Sequence, residues 1–256
     1  MNKDILRQIV SIFAVLLTII INSLANIIPF NGLQTGQISD RFKVYFVPAG
    51  YVFAIWGVIY LGLIAFAIYQ ALPSQRENPR LIRIGYLFAF SCLANVVWLF
   101  LWHYERFVLT IFAMLALLIM LIAIYLILDI NRTHVSPGER WLVHLPFSIY
   151  LGWITVATIA NATSLLDYLK WTGWGISPQL WAVIMLIAAI AIAITASLTR
   201  SDAAYLLVLV WAFAGIAVKQ ADAPLVSTSA WIATALAALL IPIGFLFRKR
   251  SVVINK

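Results

Sequence analysis

Eight apolar runs, each close to the length of a membrane-crossing helix, divide this chain from end to end: roughly 9–28, 49–71, 81–102, 107–128, 139–163, 179–198, 203–221 and 229–247. About 20 such residues carry a helix across the hydrocarbon of a bilayer. In lipid every backbone polar group must be satisfied inside its own element, which rules out an open sheet. The expected fold is therefore all-α, a polytopic transmembrane helical bundle of about eight spans. The composition agrees: 64% of residues are hydrophobic, 10% are charged and the mean hydropathy is +1.01, outside the range of a water-soluble domain.

Local signals place several boundaries independently of hydropathy. Asn78-Pro79, Ser136-Pro137 and Ser177-Pro178 each set a capping side chain before a proline suited to the first helical position, and Ser136 with Glu139 reads as a capping box. With the N-terminus cytoplasmic, 12 of the 17 Lys and Arg residues fall in inner segments, including Arg248, Lys249, Arg250 and Lys256. That bias predicts a multi-pass protein of the plasma (inner) membrane with both termini cytoplasmic. Topology and anionic headgroups then account for the net charge of +8. The basic residues are spread over short loops, so nucleic acid is not an expected partner. The first run reaches full spanning length and reads as a span rather than a cleaved leader.

The spans hold almost nothing ionisable. All nine acidic residues fall in loops or at span ends, which argues against an ion-coupled transporter built on an intramembrane carboxylate. No P-loop, dinucleotide fingerprint or HExxH motif occurs. His103, His134 and His144 stand at or near span ends without ligand spacing and read as interfacial residues, so no metal ligand and no catalytic residue is assigned. Lys219 sits two residues from the outer end of the seventh run, where its ammonium reaches water cheaply. The lone Cys92 excludes an intrachain disulfide. The last three runs are rich in Ala and Ile, with small residues four apart at Ala189/Ala193 and Ala233/Ala237, a spacing that permits close helix packing. Residues 164–178, rich in Leu, Tyr and Trp, read as a short amphipathic segment in the headgroup region with tryptophans as anchors.

The polar residues at depth are amides and hydroxyls: Asn22, Asn26, Ser91, Asn95, Thr155, Thr158 and Asn161. Either they join helices or they face a ligand. Residues i and i+4 share a helical face, which sets Trp56 over Tyr60, Trp98 beside Asn95 and Trp102, and Trp153 in a row with Ala157 and Asn161. At about 1.5 Å of rise per residue, Trp56, Trp98 and Trp153 lie roughly 10, 6 and 15 Å below the outer ends of their spans. The stripes share the outward half of the membrane, and loop 29–48 leaves from the same side. The expected site is a shared chamber for a flat, largely apolar ligand with polar edges, lined by Tyr51, Trp56, Tyr60, Asn95, Trp98, Trp102, Trp153 and Asn161.

Pro48-x-x-Tyr51-Val52-Phe53 with Trp56-x-x-x-Tyr60, then Asn95-x-x-Trp98, then Trp153-x-x-x-Ala157-x-x-x-Asn161 resembles the TspO/MBR family, the tryptophan-rich sensory proteins that include the mitochondrial translocator protein. The resemblance covers about residues 5–163. It implies a five-helix ligand-binding core (1–163) with a pocket under the first loop for porphyrins, haem or sterol-like molecules. Trp56, Asn95, Trp98 and Trp153 would line that pocket, and Tyr51 would stand where the family usually has Trp. Three features depart from the family pattern: a spacing from Tyr51 to Trp56 one residue shorter, Pro146 seven residues before Trp153, and a C-terminal annex (164–256) of an interfacial segment and three helices. The leading expectation is a membrane-embedded binding or sensory protein for a tetrapyrrole, haem or similar flat hydrophobe. The alternatives are a facilitative permease for such a ligand and a light-dependent porphyrin-degrading enzyme. Expected partners are the lipid bilayer, a small hydrophobic ligand and, in a homo-oligomer, a further copy of the chain.

Overall fold

The computed structural model describes residues 3–254, with side chains to residue 247, so the basic residues counted at Arg248, Lys249, Arg250 and Lys256 lie outside the described side chains. Eight long helices follow one another: α1 (Lys3–Ile27), α2 (Ile55–Ala71), α3 (Pro79–His103), α4 (Phe107–Ile127), α5 (Leu145–Tyr168), α6 (Pro178–Arg200), α7 (Ala203–Lys219) and α8 (Pro224–Ile254). With the short turns that lead into α2 and α5, seven of them are long and apolar enough to cross a membrane. The remaining one, α7, is apolar but has 17 residues, the lower limit for a span. The structure is thus the expected polytopic all-α bundle.

The three proline-led starts form as read. Asn78, Ser136 and Ser177 each accept a hydrogen bond from a backbone N–H in the first turn, at 3.1, 3.1 and 3.2 Å. The capping box at Ser136 is only half made, which corrects the sequence reading. The Glu139 carboxylate turns instead to Arg80, accepting from Nε at 2.6 Å and Nη2 at 2.9 Å. An ion pair between two elements outcompetes the local bond because both of its partners are charged. Ahead of α5 the chain makes one wide π turn, Arg140–His144. Pro146 follows directly and has no N–H to return to the preceding turn, so the local break in regular bonding falls where the proline removes a donor.

Packing runs α1 on α2 and α3, α3 on α4, α4 on α5, and α5 on α2 and α7, while α8 packs on both α6 and α7. The small-residue pairs do what their spacing suggested: Ala189, Ala193, Ala233 and Ala237 are all buried, and Ser197 and Ser201 donate to carbonyls of α8 at 2.6 and 2.8 Å. Asp202 stands at a helix end as the sequence indicated, yet it is buried. Its carboxylate accepts from Tyr205 N, Tyr125 Oη and Ser148 Oγ at 3.2, 2.8 and 2.7 Å, which joins α4, α5 and α7.

Candidate functional site

Two amide networks hold the half of the bundle nearest the first loop. In the first, Asn22 donates to Asn95 Oδ1 at 2.9 Å and Asn95 donates to Tyr150 Oη at 3.1 Å, linking α1, α3 and α5. In the second, Trp98 Nε1 donates to Asn161 Oδ1 at 2.9 Å and Asn161 donates to Thr110 Oγ1 at 2.8 Å, linking α3, α5 and α4. The helix-joining reading of these residues is therefore realised. Asn95, 1% exposed, spends its donor and acceptor between helices and lines neither cavity described below.

Around these networks the rings pack in the stripes the spacing implied. Trp56 stacks on Tyr60 with centroids 5.5 Å apart, and Trp98 stacks on Trp102 at 5.5 Å. Trp153, 2% exposed, meets Trp56 edge-on at 6.2 Å and Phe53 edge-on at 5.7 Å.

The enclosed space is divided rather than single. A larger hollow of about 470 Å³ lies between α1, α2 and α3, walled by Phe53, Trp56, Tyr60 and Trp98 on one side and by Asn22 and Asn26 on the other. A smaller one of about 50 Å³ lies toward α5, against Trp102, Trp153 and Asn161. Phe53, Trp56 and Trp98 belong to both and form the partition. The division follows from the bond to Asn161, which draws the Trp98 indole toward α5, and from Phe53, which fills the space beside Trp153. The larger volume lies in the range of small-molecule sites, about 300–1,000 Å³; the smaller suits one or two waters at roughly 30 Å³ each.

The first loop covers both compartments. Its short helix, Thr35–Ser39, is clamped to the end of α3: Trp102 Nε1 donates to Thr35 O at 3.2 Å, and His103 Nε2 lies 3.0 Å from Thr35 Oγ1. His103 Nδ1 lies 3.1 Å from Phe30 O, which can only accept, so the proton sits on Nδ1. With both ring nitrogens occupied, His103 is a structural clamp. No group of three or more His, Cys, Asp or Glu able to hold a metal occurs among the described residues.

Tyr51 needs correction. It is 51% exposed and its ring packs edge-on against Trp211 of α7 at 5.5 Å, away from both compartments. It stands on a 3₁₀ turn, Gly50–Ala54, ahead of α2. Even on a regular helix a five-residue separation would turn it about 140° from Trp56. Tyr60, Trp56 and Trp98 do line the larger hollow; Trp102, Trp153 and Asn161 line the smaller. The site list read from the sequence lacked Phe53, Asn22, Asn26 and the loop residues Gln34, Thr35 and Gln37. Asn22 and Asn26, four apart on one face of α1, carried a legible signal; the loop residues carried none.

The last helices reach this region too. Trp211 Nε1 donates to Val52 O at 3.0 Å, Ala49 N donates to Gly215 O at 3.1 Å, and Lys219 pairs with Asp40. On the outer surface Trp171, Trp174 and Trp181 cluster with centroids 5.0–6.0 Å apart, and Trp174 is 78% exposed, as an interfacial anchor would be.

Comparison with curated proteins and with solved structures returned no match. The family model described as TSPO-like protein matches residues 8–243, a stretch that includes the last three helices as well as the aromatic core. The chain belongs to the family of TSPO-like proteins.

Proposed function

We propose that this protein is a membrane-embedded binding or sensory protein for a flat, largely apolar ligand of the tetrapyrrole or sterol-like class. The ligand would be held in the larger hollow between α1, α2 and α3. The observation that carries the reading is the wall of stacked rings, Trp56 on Tyr60 with Trp98 and Phe53 beside them, lining about 470 Å³ under a clamped loop helix. Aromatic faces and a few polar groups are what such a ligand requires, because stacking gives area and the amides give orientation. In this reading α1 to α5 form the binding core, and α6 to α8 brace it through the contacts of α7 with the 49–54 turn.

Titration of the purified protein with a porphyrin, followed by quenching of tryptophan fluorescence, tests the proposal. Trp56→Leu is expected to weaken saturable binding at least ten-fold, and Trp174→Leu, on the outer surface, to leave it unchanged. Equal effects of the two variants, or quenching that never saturates, would overturn it. The absorption spectrum of protein purified gently from its native membrane is expected to show a co-purified chromophore.

A further inference from the structure

Beside the aromatic core a further cavity, of about 190 Å³, lies between the last residues of the first loop, the end of α5, the 169–177 connection and the start of α6. It shares no residue with either aromatic compartment. Trp171 of the connection and Trp181 and Met185 of α6 form one of its walls, so the cavity exists only because the annex is present. The connection holds that wall by an unusual turn. Gly173, Trp174 and Gly175 have φ of 68°, 53° and 79°, and the Gly173 carbonyl accepts from Trp181 Nε1 at 2.9 Å. Left-handed backbone is unfavourable for a residue as bulky as Trp, and such a conformation persists only where its surroundings fix it. Here the fixing contacts are the three indoles themselves, Trp171, Trp174 and Trp181, which pack on one another.

The charges at this cavity are of both signs. Lys43 and Asp167 line it, and the Lys43 backbone N–H lies 3.4 Å from Asp167 Oδ2, so the two residues are neighbours. Among the described residues neither side chain takes part in an ion pair, with the other or with a third group. Lys43 is exposed, and its long stem lets the ammonium swing over the opening. The volume falls below the range of sites that enclose a whole small molecule, about 300–1,000 Å³. An occupant therefore enters with one end and leaves the rest outside. Clustered indoles mark the level of the membrane interface, where that remainder lies among lipid. An ammonium finds indole faces and a carboxylate here, and a phosphate finds the lysine. A headgroup that is only anionic would meet Asp167 without an ammonium to answer it.

We propose that this cavity is a second binding site, separate from the aromatic chamber, for the zwitterionic headgroup of a phospholipid: the ammonium pairs with Asp167 and the indoles, the phosphate with Lys43. It does not depend on what the aromatic chamber binds. Native mass spectrometry of the full chain released from maltoside micelles tests it, with dioleoylphosphatidylcholine and dioleoylphosphatidylglycerol offered at equal concentrations. One phosphatidylcholine is expected to be retained at least five-fold more tightly than phosphatidylglycerol. Asp167→Asn should abolish most of that preference, and Lys43→Gln should weaken phosphatidylcholine retention several-fold. Trp231→Leu, at an exposed tryptophan of α8 away from the cavity, should change neither. Thermal midpoints unchanged in the Asp167 and Lys43 variants separate lost binding from lost fold. Equal retention of the two lipids, or a preference that survives in Asp167→Asn, overturns the site. Displacement of the lipid by an equal concentration of tailless glycerophosphocholine overturns the membrane source of the occupant.

Discussion

Two buried indoles, Trp98 and Trp153, look alike in the sequence and differ in the structure. Trp98 Nε1 is bonded to Asn161, whereas Trp153 Nε1 is buried and has no partner. Replacing a donor whose acceptor is then stranded costs about 1–3 kcal/mol, and deleting an unpartnered one does not. Trp98→Phe is therefore expected to lower stability by about 1–3 kcal/mol, and Trp153→Phe to leave it unchanged or slightly raised, read from thermal midpoints in detergent. Asn95→Leu strands both Asn22 and Tyr150. Interhelical hydrogen bonds in membranes average about 0.6 kcal/mol, so the loss of two should cost roughly 1–2 kcal/mol. Which amide joins helices and which faces a cavity was not legible from residue type, because both positions suit an Asn equally well; only the partner brought by another helix decides.

At the scale of elements, α7 determines where the turn before α2 sits. A Cβ at Gly215 would lie 2.2 Å from Val52 Cγ2 and 3.2 Å from Pro48 Cβ, so no side chain fits without moving the turn. Gly215→Ala is expected to displace the 49–54 segment and weaken porphyrin binding several-fold although residue 215 lines neither compartment. Trp211→Phe, which loses only the bond to Val52 O, should have the same direction and a smaller size. Unaltered titration curves for both would separate α7 from the site. The sequence marked the last three spans as close-packed from their Ala spacing, and that held for α6 on α8. It carried no sign that α7 reaches the first loop, since such a contact joins residues more than 150 positions apart through shape rather than through a motif.

The whole molecule has a topology that one labelling experiment checks. Cys92 is buried within α3, so a cysteine introduced elsewhere reports without background. Gln37→Cys, exposed on the first loop, is expected to react with an impermeant maleimide in intact cells. Glu77→Cys, exposed on the opposite face between α2 and α3, should react only after permeabilisation. The reverse pattern would invert the assigned orientation. What the amino-acid order determined by itself was the class of fold, its spans and the faces on which rings and amides lie, because hydrophobic run length, proline-led caps and the i, i+4 repeat are local properties of a helix in lipid. What only the tertiary structure decided was the division of the hollow by Phe53, Trp56 and Trp98, the outward turn of Tyr51 and the pairing of Asn22 with Asn95 across helices. Each of these depends on how far one helix is rotated and displaced against another, and that is settled by the packing of the whole bundle rather than by any single segment.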